Sequence, residues 1–75
     1  DKDIKKAKNW IDKAIEMREN PAFWYYRQQS LIYAKAGDKT GAIKAAKKSL
    51  ALAKEAGNDH YVALNSKSLK VWEGK

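Results

Sequence analysis

AKAGDKTGAIKAAKKSL, residues 34–50, is rich in good helix formers on both sides of one short break at Gly37 and Asp38. Glycine adopts the left-handed backbone that closes a helix, and an aspartate directly after it can cap the next one. A junction of two residues leaves no room for the chain to do anything but turn back. The stretch therefore predicts an antiparallel helical hairpin.

Downstream of the break, Ala42, Ile43, Ala46, Leu50 and Ala53 recur at helical spacing, while Lys44, Lys47, Lys48 and Lys54 fall on the remaining faces. This predicts a helix over about 39–56, closed by Gly57, with Asn58 or Asp59 capping a fourth over about 59–73. Tyr61, Leu64, Ser68, Val71 and Trp72 share a stripe there. Upstream, Asn20 followed by Pro21 reads as a helix start, which gives a second helix over about 21–36. A first helix, about 3–18, carries Ile4, Ala7, Ile11 and Ala14 toward its neighbour and Lys5, Lys6, Lys8, Asp12 and Lys13 away from it. The fold class is all-α, with four helices in antiparallel hairpins.

The chain repeats itself. An offset of 35 residues lays Asp3 on Asp38, Ala7 on Ala42, Lys13 on Lys48, Ile15 on Leu50 and Tyr26 on Tyr61. Periods of this length mark stacked two-helix units, each covering its neighbour's apolar face. The register divides the single domain, residues 1–75, into a half unit (1–20), a complete unit (21–57) and a capping half unit (58–75).

The complete unit, FWYYRQQSLIYAKAGDKTGAIKAAKKSLALAKEAG, resembles a tetratricopeptide repeat. Tyr26 stands where that family has Trp, Tyr33 where it has Tyr, Ala42 and Ser49 where it has small residues, and Gly37 and Asp38 at its turn. Gln29, Ser30 and Ala46 depart from the pattern, and the third helix runs past the usual repeat-ending proline. SLALAKEAGNDHYVALNSKSL, with the following VW and the earlier FW, is also similar to the helical C-terminal tail of an uncharacterised bacterial family whose tail follows a β-rich domain. These resemblances imply a fold and no activity.

Sixteen Lys and Arg against nine Asp and Glu give a net charge of +7. Residues 1–19 are nearly balanced, with six basic and five acidic; residues 39–75 hold eight basic and three acidic. The field favours acidic partners, and it also serves solubility. No cysteine is present, so neither a disulfide nor a thiolate metal site is available. Uncharged stretches such as 28–34 are far too short to cross a bilayer, which predicts a soluble chain without a membrane partner. Compartment cannot be read from it. Asp1 in place of an initiator Met suggests a processed, excised or designed module.

Enzyme chemistry finds no footing. His60, the single histidine, neighbours Asp59 near a helix start and reads as a surface residue. No set of His, Cys and acidic residues suggests a metal, no glycine-rich loop suggests a phosphate cradle, and no cofactor is implied. Asp12 and Glu16 read as ordinary surface charges beside Lys8 and Lys13.

Half of the eight aromatic residues sit at Phe23, Trp24, Tyr25 and Tyr26. Successive helical residues turn by about 100°, so four neighbours cannot share one buried face. Phe23, Tyr26 and Tyr33 are expected in packing. Trp24 is the exception: on the repeat register it joins Arg27, Leu31 and Lys35 in an inner groove, approached by Val62, Ser66 and Lys70. Tetratricopeptide-like proteins receive peptides or helices in such grooves. The sequence thus predicts a non-catalytic scaffold or protein-interaction module that binds an acidic peptide through Trp24, Arg27, Lys35, Ser66 and Lys70, with Arg27 and Lys35 replaceable without unfolding.

The alternative is a polyanion such as RNA on the lysine face of the third helix, Lys44, Lys47, Lys48 and Lys54, joined by Lys70. No aromatic residue interleaves with these lysines in sequence, so no stacking platform is expected there. Self-association through the ends of the stack, near Trp10 and Trp72, is a third expectation.

Overall fold

The computed structural model describes residues 2–74 and contains four helices: α1 (Lys2–Glu16), α2 (Phe23–Lys35), α3 (Lys39–Ala56) and α4 (Asp59–Trp72). No strand occurs among the described residues. α1 packs on α2, α2 on α3 and α3 on α4, forming a slab 35 × 33 × 15 Å.

The α2–α3 junction forms as its residues dictate. Gly37 takes φ +87°, and the Asp38 carboxylate accepts from the Gly41 amide at 2.9 Å. The next junction repeats the device: Gly57 takes φ +72°, and it is Asn58 rather than Asp59 that caps, accepting from the Tyr61 amide at 3.0 Å. Two tight turns make α2, α3 and α4 successive antiparallel neighbours.

The α1–α2 junction departs from expectation. Asn20 and Pro21 do not begin the helix; Ala22, extended at φ −73° and ψ 162°, is the residue before α2, and no side chain caps it. A proline disfavours helical backbone in the residue before it; Asn20 lies in a bend outside the helix, and Pro21 and Ala22 follow before the first bond, Tyr25 N–H to Ala22 C=O at 3.1 Å. α1 also stops at Glu16 rather than Arg18. Arg18 instead lays its guanidinium over the Tyr25 ring, 4.4 Å from its centre.

The core is built from small residues. Ile11, Ala42, Ala46 and Ala53 are fully buried, with Ala45 and Leu69 nearly so. Alanine and serine let helix axes approach closely, which is why a core with few large side chains can still be dense. Three polar residues, Ser30, Ser49 and Asn65, are also fully buried. Each has its partner: Ser30 donates to the Arg27 carbonyl at 2.6 Å, Ser49 to the Phe23 carbonyl at 2.8 Å, and Asn65 Nδ2 to Ser49 Oγ at 2.8 Å.

That polar contact rotates α4 from its expected face. The buried residues are Asn65 and Leu69, while Val71, placed on the inward stripe by spacing, is 69 % exposed. Apolar periodicity cannot register a helix that docks through an asparagine. On α3, Ala45 and Ser49 join the expected Ala42, Ala46 and Ala53 in full or near-full burial, because α2 and α4 flank it on two sides.

Candidate functional site

The aromatic quartet at the start of α2 resolves by direction. Phe23 meets Tyr61 of α4, with ring centres 4.8 Å apart; Tyr25 lies under Arg18; Tyr26 carries the Lys48 ammonium of α3 at 5.8 Å. Trp24 faces solvent and is 51 % exposed, its indole edge-on to Phe23 at 5.1 Å. Three rings pack in three directions and the fourth is left as surface.

Trp24 borders a hollow of about 370 Å³ between α2 and α4, lined by Trp24, Arg27, Gln28, Leu31 and Tyr61. Leu31, two turns after Trp24 on the same face, is 45 % exposed. Arg27 is committed to the fold as well as to this hollow. Its Nη1 donates to Ser68 Oγ at 2.8 Å, Asn65 Oδ1 at 3.3 Å and the Leu64 carbonyl at 3.4 Å. Burial lowers the Arg27 pKa from its ordinary value and the Tyr61 phenol partly offsets this; an arginine nevertheless keeps its charge at neutral pH.

Of the five residues predicted for the groove, the structure brings Trp24 and Arg27 together at this hollow. Lys35, Ser66 and Lys70 are exposed and do not line it, and neither does Val62. Gln28 and Tyr61 line it without having been predicted; Tyr61 lay on the stripe read as core, and nothing in the sequence distinguishes Gln28 from its neighbours.

A second hollow, about 440 Å³, lies on the opposite face of α2 and is lined by Tyr26, Gln29, Tyr33, Gly41, Lys44, Ala45 and Lys48. Here the predicted lysine face divides. Lys44 and Lys48 border the hollow; Lys47 pairs with Glu73 at 3.5 Å, and Lys54 projects from the last turn of α3. The expectation that no aromatic residue accompanies these lysines is overturned, since Tyr26 and Tyr33 come from a different helix. Proximity in space, not in sequence, supplies the rings.

Asp12 is not an ordinary surface charge. Its carboxylate accepts from the Tyr33 hydroxyl at 2.5 Å and from Gln29 Nε2 at 2.9 Å, joining α1 to the edge of this hollow. Burial, then the hydrogen bond and charge of Asp12, then Asp38, push the Tyr33 phenol up to about 12. Gln29, apolar in the repeat pattern, is polar here because it meets Asp12. Lys8, read as outward-facing, sits with its ammonium 4.7 Å above the Tyr33 ring.

Among the described residues no three His, Cys, Asp or Glu converge as a metal set, and no helix is long and apolar enough to cross a membrane. His60 is exposed and edge-on to Tyr61 at 6.0 Å. Each hollow sets aromatic surface beside positively charged side chains. Comparison of the chain with family models, with curated proteins and with solved structures finds no match.

Proposed function

We propose that this protein is a non-catalytic interaction module of tetratricopeptide-like hairpins that binds an acidic peptide in the hollow between α2 and α4. The observation that carries the reading is Trp24 and Leu31 standing half-exposed on either side of Arg27. Partly exposed aromatic area supplies binding energy, and arginine engages carboxylates. Because Nη1 of Arg27 is already committed to α4, the guanidinium is held in place before a ligand arrives, which reduces the ordering cost of binding. Lys35, Ser66 and Lys70 act at most along the rim.

Tryptophan fluorescence, titrated with a pool of acidic peptides at low and near-physiological salt, tests this. Binding that persists with salt and is lost in Trp24→Ala supports the hollow. Binding indifferent to Trp24→Ala and Leu31→Ala removes it.

A second reading, polyanion binding on α3, is favoured by one observation: Lys44 and Lys48 have no acidic partner within 4 Å among the described residues and border two tyrosines. It predicts an affinity for single-stranded RNA that falls steeply with salt as counterions are released. RNA binding unchanged in a Lys44→Gln/Lys48→Gln variant would remove this reading.

A further inference from the structure

We propose that the hollow between α2 and α3 is a binding site for a small phosphate-bearing aromatic molecule of the mononucleotide kind, its phosphate between Lys44 and Lys48 and its ring against Tyr26 and Ala45. This narrows the polyanion reading to one place and one ligand, and is independent of the peptide reading. Positions 24, 27, 28 and 31 lie on one face of α2, and 26, 29 and 33 on the other, because each residue advances the helix by about 100°.

Size comes first. A volume of about 440 Å³ falls within the range of small-molecule sites, roughly 300–1,000 Å³. Gly41 and Ala45 add no long side chain to its lining. Its remaining lining is aromatic or cationic save for Gln29, whose amide is held by Asp12.

Charge comes second. Lys44 and Lys48 are one turn apart on α3, a spacing at which like charges repel. Both are exposed, and neither has an acidic partner within 4 Å among the described residues. A phosphate dianion between them relieves that repulsion, and a monoanion does so only in part. Lys48 now rests over Tyr26, and its flexible stem allows the ammonium to leave the ring for the phosphate.

The ring contact comes third. Tyr26 is partly exposed and its phenol makes no hydrogen bond within the described chain, so its face can receive a base. Tyr33 differs: its hydroxyl is bound to Asp12 and Lys8 covers its ring, so it forms a fixed wall rather than a stacking partner. The Asp12 carboxylate, which opposes an anion, accepts from Tyr33 and Gln29 and is outnumbered by the cations Lys8, Lys44 and Lys48.

The test uses the full chain, with amide chemical shifts followed by NMR during titration with adenosine monophosphate, ribose phosphate or inorganic phosphate. The expected result is that adenosine monophosphate shifts Tyr26, Gly41 and Ala45, and that Lys44→Gln/Lys48→Gln weakens it about tenfold or more. Tyr26→Leu should reduce its affinity to that of ribose phosphate while leaving ribose phosphate itself unchanged. The two lysines are exposed, so their double variant keeps the test decisive if Tyr26→Leu unfolds. Equal binding of ribose phosphate and adenosine monophosphate to the unmodified protein overturns the ring contact, and shifts confined to Trp24, Leu31 and Tyr61 overturn the location. An RNA oligonucleotide that binds when the mononucleotide does not at millimolar concentration overturns the proposal and leaves the polyanion reading standing.

Discussion

Arg27 of α2 and Asn65 of α4, 38 residues apart, are joined through a single guanidinium nitrogen 3.3 Å from the asparagine oxygen. Asn65 passes the connection on to Ser49, and Ser49 to the backbone carbonyl of Phe23. A polar chain through Ser49 of α3 therefore joins the second and fourth helices beside the ring contact of Phe23 with Tyr61. All buried side-chain nitrogen and oxygen atoms of the described residues have partners.

Breaking this chain should cost more than its net contribution. Asn65→Ala removes an acceptor from Arg27 and a donor to Ser49, leaving buried polar atoms short of partners, at about 1–3 kcal/mol. Urea denaturation measures it. A loss under half a kilocalorie per mole, on that scale, would show that the chain contributes geometry and not stability.

Arg27 and Lys35 should separate in their effects, contrary to their equivalence in sequence. Arg27→Ala should lower stability by about 1–3 kcal/mol through its lost bonds to α4, whereas Lys35→Ala, on an exposed position, should change it by less than about 0.5 kcal/mol. Binding experiments on Arg27→Ala thus need a parallel unfolding curve. Two coincident unfolding curves would show that the Arg27 bonds do not hold α4.

Gly41 has a packing duty. A methyl group there would overlap Tyr33 Cδ2 and meet the Asp38 carboxylate at 2.8 Å. Overpacking costs about 1–3 kcal/mol, against a helix-propensity gain of roughly 1 kcal/mol for alanine over glycine. Net destabilisation is expected for Gly41→Ala. In a Tyr33→Leu background the penalty should shrink, and an unchanged penalty there would assign the clash to Asp38 alone.

Burial of the Tyr33 phenol, together with its hydrogen bond to Asp12, makes stability pH-dependent at the alkaline end. The folded phenol titrates near 12 against an ordinary 10.0, so the folded state holds its proton more tightly than the unfolded state does. Stability from this source is complete below pH 10.0 and is lost as pH rises toward about 12. Comparing the unfolding midpoints of the wild type and Tyr33→Phe across that window isolates the effect from other tyrosines and lysines. The difference between the two proteins should vary between those limits; a constant difference contradicts the assignment.

The caps should behave as local sites. Asp38→Ala removes the acceptor of the Gly41 amide and should cost about 1 kcal/mol. Gly57→Ala forces alanine into φ +72° with nothing nearby to clash, so its cost is backbone strain of about 1 kcal/mol. Amide exchange should rise at the adjoining helix ends and not at Ile11.

Sequence alone determined the elements and their hairpin order, because the deciding signals are local. A left-handed glycine followed by a capping aspartate or asparagine acts over four residues, and the helical spacing of Ala42, Ala46 and Ala53 over three turns. Where the governing interaction was nonlocal, spacing failed. Asn65 took the inward position that Val71 was expected to share, Asp12 became the acceptor of two α2 side chains, and Tyr26 arrived beside Lys48 from another helix. Each of these is a polar or aromatic contact between residues at least 16 apart, whose partner depends on how two helices rotate against each other. Apolar periodicity carries no information about that rotation when the facing side chains are asparagine, serine and arginine.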